Sequence, residues 1–235
     1  MTYLRAVLTL LLSLTFAAAP LVTSPFTGFT ANQLPIPQND PPVQPAGYAF
    51  AIWGLIYAWL VISAVYGLWK RADDPDWNAA RLPLIASLAV GTPWLAVANA
   101  SAIWATVLIL VMAATAIWAF LLAPARDRWW FLAPVGIYAG WLTAASAVSI
   151  GVTMAGYGLF FYPPGWAQIC ILAALAIAFV VWSRRRAGVT YPLTVIWALV
   201  GIVVANGSDT PSVTALAVLG AVLLAAAAWR GLSRG

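Results

Sequence analysis

The placement of charge constrains this chain more than any motif does. All eleven Lys and Arg residues (Arg5, Lys70, Arg71, Arg81, Arg126, Arg128, Arg184, Arg185, Arg186, Arg230 and Arg234) lie between or at the ends of long apolar runs. Eight runs can be read: residues 1–22, Gly47–Trp69, Leu82–Ala98, Ala102–Ala123, Trp130–Ala155, Trp166–Trp182, Tyr191–Ala205 and Val213–Trp229. A helix needs ~20 apolar residues to cross the hydrocarbon, with ~17–25 usual, and Tyr191–Ala205 falls short of that. Threaded as eight crossings, the chain puts every basic residue on one side and leaves only Asp40 and Asp209 in the opposite connections. Basic residues stay cytoplasmic. Both termini and the connections at 70–81, 124–128 and 183–188 are therefore expected inside, and residues 23–46 outside, as in a bacterial inner-membrane protein.

Composition agrees with this reading. Hydrophobic residues make up 64% of the 235 and charged ones 7%, against about 25% charged in a soluble domain. The expected fold class is an all-α integral membrane protein, with the lipid bilayer as its first partner. The net charge of +5 follows topology rather than forming a nucleic-acid patch, so no nucleic acid is expected to bind. Histidine is absent and Cys170 is the single cysteine, which leaves no internal disulfide, thiolate cluster or imidazole ligand. As read, the apolar runs hold no charge, which argues against proton relays, ion pumps and voltage sensors. Paired carboxylates and nucleophile–base sets are missing as well, so no catalysis is expected.

The first run has Arg5, an apolar core from Ala6 to Phe16, then Ala17–Ala19 and Pro20. A basic start followed by a short apolar core and small residues is also the pattern of a signal segment. Pro20, directly after the small residues, favours a retained helix. Residues 23–46 carry Pro35, Pro37, Pro41, Pro42 and Pro45. Proline removes donors and breaks helices, so this stretch is expected to form an extended cap over one membrane face. Asn99-Ala100-Ser101 reads as a tight break between the third and fourth helices.

Phe50, Trp53 and Tyr57 fall at i, i+3 and i+7 and share a helical face. That face would either stack a flat ligand or simply pack helices. Tyr48 and Trp69 read as interfacial belt residues, with Tyr48 placed to cover a pocket mouth. Gly91-Thr92-Pro93-Trp94 in the third helix suggests either a cavity opened near Trp94 or a proline satisfied by its neighbours. Asn99 would stand at the outer end, under the cap. In the fifth helix Gly136 and Gly140 form a small-xxx-small face suited to internal packing or to a homodimer. Tyr138 and Trp141 lie beside them as a second aromatic pair. Cys170 reads as a small buried hydrophobe, and Arg184–Arg186 as a topology anchor that would also attract anionic lipid.

The stretch Pro45-Ala46-Gly47-Tyr48-Ala49-Phe50-Ala51-Ile52-Trp53-Gly54-Leu55-Ile56-Tyr57 resembles the loop-to-second-helix motif of the TspO/MBR family, the tryptophan-rich sensory or translocator-protein-like proteins. Trp94 and Tyr138 to Trp141 occupy matching places. The likeness covers about residues 40–155. Tyr191-Pro192-Leu193 and Ile196-Trp197-Ala198-Leu199 resemble the extension of the family's longer, multi-helix relatives. The resemblance implies about eight transmembrane helices. Residues 1–156 would form a TspO-like five-helix core with its cap loop at 23–46, and 157–235 a three-helix C-terminal extension. It also implies an aromatic cavity for porphyrins, sterols or other flat lipophiles such as carotenoids. Two departures stand out: Gly91 and Leu95 replace the polar residues that often flank the third-helix Trp, and Ser149 stands where an Asn is common.

These readings converge on a membrane ligand-binding or sensory protein. Tyr48, Phe50, Trp53, Tyr57, Trp94, Asn99, Tyr138 and Trp141 are its candidate ligand-binding residues. A tetrapyrrole is the one cofactor-like ligand suggested. A small-substrate transporter and a structural subunit of a larger membrane complex are the alternatives.

Overall fold

The computed structural model describes residues 2–24, 26 and 28–232. Met1, Pro25, Thr27 and residues 233–235, and with them the basic Arg234, lie outside the described residues. Helices account for the architecture, and no strand occurs among the described residues. They are α1 (Thr2–Val22), α2 (Ile52–Lys70), α3 (Pro75–Ala100), α4 (Ala102–Leu122), α5 (Ala133–Gly156), α6 (Pro163–Arg184), α7 (Thr190–Asn206) and α8 (Pro211–Leu232). A 3-10 turn over Gly47–Ala51 leads into α2, and a π turn over Arg128–Leu132 leads into α5. Seven of the helices are long and apolar enough to span a membrane, and α7 is the shorter one. The break expected at Asn99-Ala100-Ser101 narrows to a single residue. Ser101 takes an extended conformation, ends α3, and its hydroxyl accepts from the Trp104 N–H to start α4.

The bundle is built around α5, which is buried along nearly its whole length and packs against α2, α4, α6 and α7. The reason lies in its small residues. Lipid is as apolar as any side chain, so membrane helices associate through close backbone approach rather than hydrophobic expulsion. A Cβ on Gly140 would stand 2.6 Å from the carbonyl oxygen of Tyr191, and one on Gly136 would overlap the Thr190 hydroxyl. Of the two roles open to this glycine face, internal packing is the one observed: α7 occupies it. The Tyr191 hydroxyl, buried beside it, pairs with Thr143 Oγ1 at 2.8 Å.

The basic connections meet at one end of the bundle. Arg71 donates two hydrogen bonds to the Asp127 carboxylate (2.9 and 3.2 Å), and the Trp77 indole donates a third at 2.7 Å. Arg126 pairs with Asp74, tying the α2–α3 connection to the α4–α5 connection a second time. Arg185 reaches the Ala123 carbonyl from the α6–α7 connection. One sequence reading is corrected here, since charge does enter a span. Asp74 caps α3 by accepting from the N–H groups of Asp76 and Trp77, and Pro75 takes the first helical position, the usual start signal. The helix thus begins seven residues before Leu82 and carries Asp76 and Arg81 within it. Arg81 is 1% exposed. Its guanidinium donates to the carbonyls of Gly67, Arg71 and Ala72 at 2.8–3.0 Å, so it closes the C-terminal end of α2, where free carbonyls favour a cation.

Burial alone would raise the pKa of Asp127, but the hydrogen bonds from Arg71 and Trp77, with the nearby Arg126 charge, hold it below the ordinary carboxylate value. A depressed carboxylate stabilises the fold above its unfolded pKa, ~3.9 for Asp, and that contribution disappears as pH falls through the folded value. Asp127→Asn is therefore expected to lower the melting temperature at neutral pH. Wild-type and variant melting curves in detergent should converge below about pH 4; a constant gap across pH 3–7 would show that the charge is not what matters.

Residues 23–46 form the expected cap at the opposite end. Leu34 and Val43 are buried against α5, at Gly156 and Gly151. The backbone is pinned in several places: Ile36 N–H to Gly156 O (2.8 Å) and Ala46 N–H to Gly201 O (3.0 Å), with the Gln33 amide donating to Ala98 O (2.8 Å). Asn206 Nδ2 donates to Pro42 O at 2.8 Å, and the Trp197 indole donates to Ala49 O at 3.0 Å. Thus α7 has two tasks: it buttresses α5 and it holds the cap down.

Candidate functional site

Beneath the cap lies a cavity of about 240 Å³. Helical periodicity generates its walls. From α5 come Trp141, Ala144, Ala145, Val148, Ser149 and Val152, at i, i+3, i+4, i+7, i+8 and i+11, a single stripe of one helix. The α2 wall is Phe50, Trp53 and Tyr57, the α3 wall Gly91, Trp94 and Leu95. Helix α1 adds Phe16 and Pro20, α4 adds Ile109, and the cap contributes Ser24, Phe26, Gly28, Phe29, Gln44 and Pro45.

The aromatic rings are held against one another. Trp53 stacks on Tyr57 (5.4 Å, 17°) and meets Trp141 edge-on (6.2 Å, 83°); Phe50 meets Trp141 the same way (5.6 Å, 84°). Phe26 from the cap stands edge-on to Trp94 at 5.3 Å. The Trp94 indole donates to Ala105 O at 2.9 Å, which fixes its ring against α4. Gly91 matters because a Cβ there would stand 2.8 Å from the Phe16 ring and 2.9 Å from Met112, so the glycine admits α1 and α4 to this level. Helix α3 continues unbroken through Pro93.

Polar groups are few. Ser149 belongs to a hydroxyl cluster in which Thr106 Oγ1 lies 2.7 Å from Ser149 Oγ and 2.9 Å from Thr153 Oγ1. Trp141 is 2% exposed, and its indole N–H has no hydrogen-bond partner among the described residues. Such a buried donor costs about 1–3 kcal/mol until it is satisfied. The described residues hold no group of His, Cys, Asp or Glu placed to bind a metal.

Five of the eight candidate residues therefore come together at the cavity: Phe50, Trp53, Tyr57, Trp94 and Trp141. The other three lie elsewhere. Tyr138 shares the Trp141 face but sits one turn farther from the cap, fully buried behind Phe16 (5.6 Å, edge-on), with its hydroxyl 2.9 Å from Ser87 Oγ. Tyr48 is 45% exposed and leans on Trp197 of α7, away from the cavity. Asn99 does not line the wall; it donates to the Ser24 carbonyl at 3.1 Å and so holds the first part of the cap.

Sequence reasoning missed Phe16 and Pro20, and it named the loop 23–46 as the cap without singling out Phe26, Phe29 or Gln44. The α5 stripe was available from the periodicity that starts at Trp141, but its members are small and carry no chemical signal of their own. The three residues at the two family departures, Gly91, Leu95 and Ser149, all line the cavity.

Helices surrounding a capped, aromatic-lined cavity define a membrane-embedded α-helical bundle. The TSPO-like protein family profile matches residues 4–230, from the first turn of α1 to the last turns of α8, and the chain belongs to that family. The likeness read over about 40–155 thus extends across all eight helices. No curated protein and no solved structure matches the chain significantly.

Proposed function

We propose that the protein binds a flat lipophilic molecule inside the membrane, under the loop 23–46, as a binding or sensory protein without chemistry of its own. The observation that carries this reading is the cavity wall, where Phe50, Trp53, Tyr57, Trp94 and Trp141 converge from three helices. Ring stacking would supply most of the affinity, and an acceptor on the ligand would satisfy the unpartnered Trp141 N–H.

Size selects among the candidates. Pockets for drug-sized ligands run to ~300–1,000 Å³, so 240 Å³ suits a compact fused-ring lipophile of few rings. A whole porphyrin, sterol or carotenoid would need the cap to swing outward or part of the ligand to protrude. The hydrogen-bonded basic end supports an orientation with both termini cytoplasmic in a bacterial inner membrane, which turns the cap and the cavity outward.

Titration of the purified protein with a fused-ring lipophile and, separately, with a porphyrin, followed by tryptophan fluorescence, tests the proposal. Saturable quenching by the smaller ligand is expected, weakened about ten-fold or more in Trp53→Leu, since a lost stacked ring is worth ~1.4 kcal/mol. Equal, unsaturable quenching in both proteins would mean partitioning into the micelle and would end the reading.

A further inference from the structure

The roof of the aromatic cavity holds a polar side chain that the fold itself leaves unused. Gln44 lines the cavity from the cap, and its side-chain amide makes no hydrogen bond among the described residues. The other glutamines of the chain are all engaged. Gln33 donates to the Ala98 carbonyl, Gln38 to those of Ile36 and Pro37, and Gln168 to Ser212 Oγ.

The backbone on either side holds Gln44 in place. Its N–H donates to the Pro41 carbonyl at 2.8 Å, Val43 is buried against Gly151, and Pro45 lies against Gly201. Gly28, another lining residue, packs against the amide with φ +132°; a Cβ there would stand 3.1 Å from Oε1 and 3.5 Å from Nε2. Glycine is what this backbone conformation favours, and it leaves the amide its room. The Val43–Gly151 contact sets this level ten residues beyond Trp141, or ~15 Å along the helix. Gln44 thus marks the outer end of the cavity, and Trp141 the inner part.

The chemistry of the wall narrows what can meet the amide. No Lys, Arg, Asp or Glu lines the cavity, so an ionised ligand end would be buried without a counter-charge, at a far higher cost than a neutral one. A carboxamide offers donors and an acceptor in one plane. Its neutral complement is an acceptor and a donor side by side, the edge of a lactam or cyclic imide. A ligand without such an edge would cover the amide and leave it unpaired, and sites built around a buried polar group reject such analogues.

Resting on the ligand-pocket reading above, we infer that Gln44 selects the ligand: the cavity takes a neutral, planar fused-ring compound whose lactam-type edge pairs with the Gln44 amide through two hydrogen bonds. The edge points at the cap, and the rings lie inward among Phe50, Trp53 and Trp94. The cap is then a reader of the ligand as well as a roof over it.

Isothermal titration calorimetry with phenanthrene, phenanthridine and phenanthridinone tests this. The three probes share a tricyclic frame and offer the amide nothing, one acceptor, and an acceptor beside a donor. Each is titrated into wild type, Gln44→Met and Gln38→Met in the same detergent. Comparing affinity ratios between proteins cancels the unequal partition of the probes into micelles. Two net hydrogen bonds correspond to a selectivity of about ten-fold or more, so wild type should favour phenanthridinone over phenanthrene by that factor relative to Gln44→Met, with phenanthridine between. Methionine matches glutamine in length and removes no hydrogen bond of the fold, so the melting temperature should not change. Gln38→Met, in the cap but outside the cavity wall, should keep the wild-type selectivity. Identical ratios in wild type and Gln44→Met, with saturable binding in both, would overturn the inference and leave the cavity reading standing. No saturable isotherm for any probe would end the cavity reading and this inference with it.

Discussion

Gly140→Val is expected to lower the melting temperature in detergent by roughly 6–12 °C and to abolish ligand binding at the distant cavity. The first part follows from contact geometry. The new Cβ would meet the Tyr191 carbonyl at 2.6 Å and Thr194 Cβ at 3.0 Å. The nearest obstacle is backbone and cannot rotate aside. Overpacking of this kind costs ~1–3 kcal/mol, sometimes more, and a cost near ~3 kcal/mol corresponds to the stated shift for a chain of this size. Movement of α7 would also break the Thr143–Tyr191 hydroxyl pair. The second part follows because α7 holds the cap through Gly201, Asn206 and Trp197, and the cap is the cavity roof. Gly54→Ala provides the contrast. Nothing lies within 4 Å of a Cβ there, so alanine should leave stability unchanged or raise it by up to ~1 kcal/mol through helix propensity. Similar melting temperatures for the two variants would show that α7 does not bear on α5 as described.

Ala145→Phe is expected to separate binding from folding. Ala145 is half-buried and lines the cavity from α5, so a phenyl ring there would occupy much of the 240 Å³ that a ligand would take. Filling a cavity commonly stabilises a protein by ~0.5–2 kcal/mol, so the melting temperature should hold or rise. Affinity for the fused-ring lipophile should fall at least ~100-fold, equivalent to ~2.8 kcal/mol. Retained affinity in a well-folded variant would place the ligand somewhere other than this cavity.

Much of the bundle could be read from charge and hydropathy because the bilayer restricts a chain to helices of fixed length. The Phe50–Trp53–Tyr57 face was legible for a related reason: large rings at helical spacing announce themselves. Other features depended on depth and on neighbours. Tyr138 has the same periodicity as Trp141, but Phe16 from α1 closes the cavity before reaching it. Phe16 itself sits in a run that could equally be a signal segment, so its spacing carried no site signal. The cap has no period at all, and its Phe26, Phe29 and Gln44 reach the cavity through a path set by hydrogen bonds to α3, α5 and α7. Arg81 was placed outside the third span because a hydropathy window discards a charged turn. The Asp74-Pro75 start signal, read on its own, would have recovered it. The last three helices were read as an extension, and their contacts give α7 a place in the roof of the cavity.

The most direct test of the central claim is photoaffinity labelling with a fused-ring lipophile carrying a diazirine, followed by peptide mapping. If the capped cavity is the binding site, saturable adducts fall on the α2 segment around Phe50–Tyr57 and the α5 segment around Trp141–Val152, and excess unlabelled ligand removes them. Adducts confined to lipid-facing residues such as Trp104 and Trp118, unaffected by competitor, would contradict it.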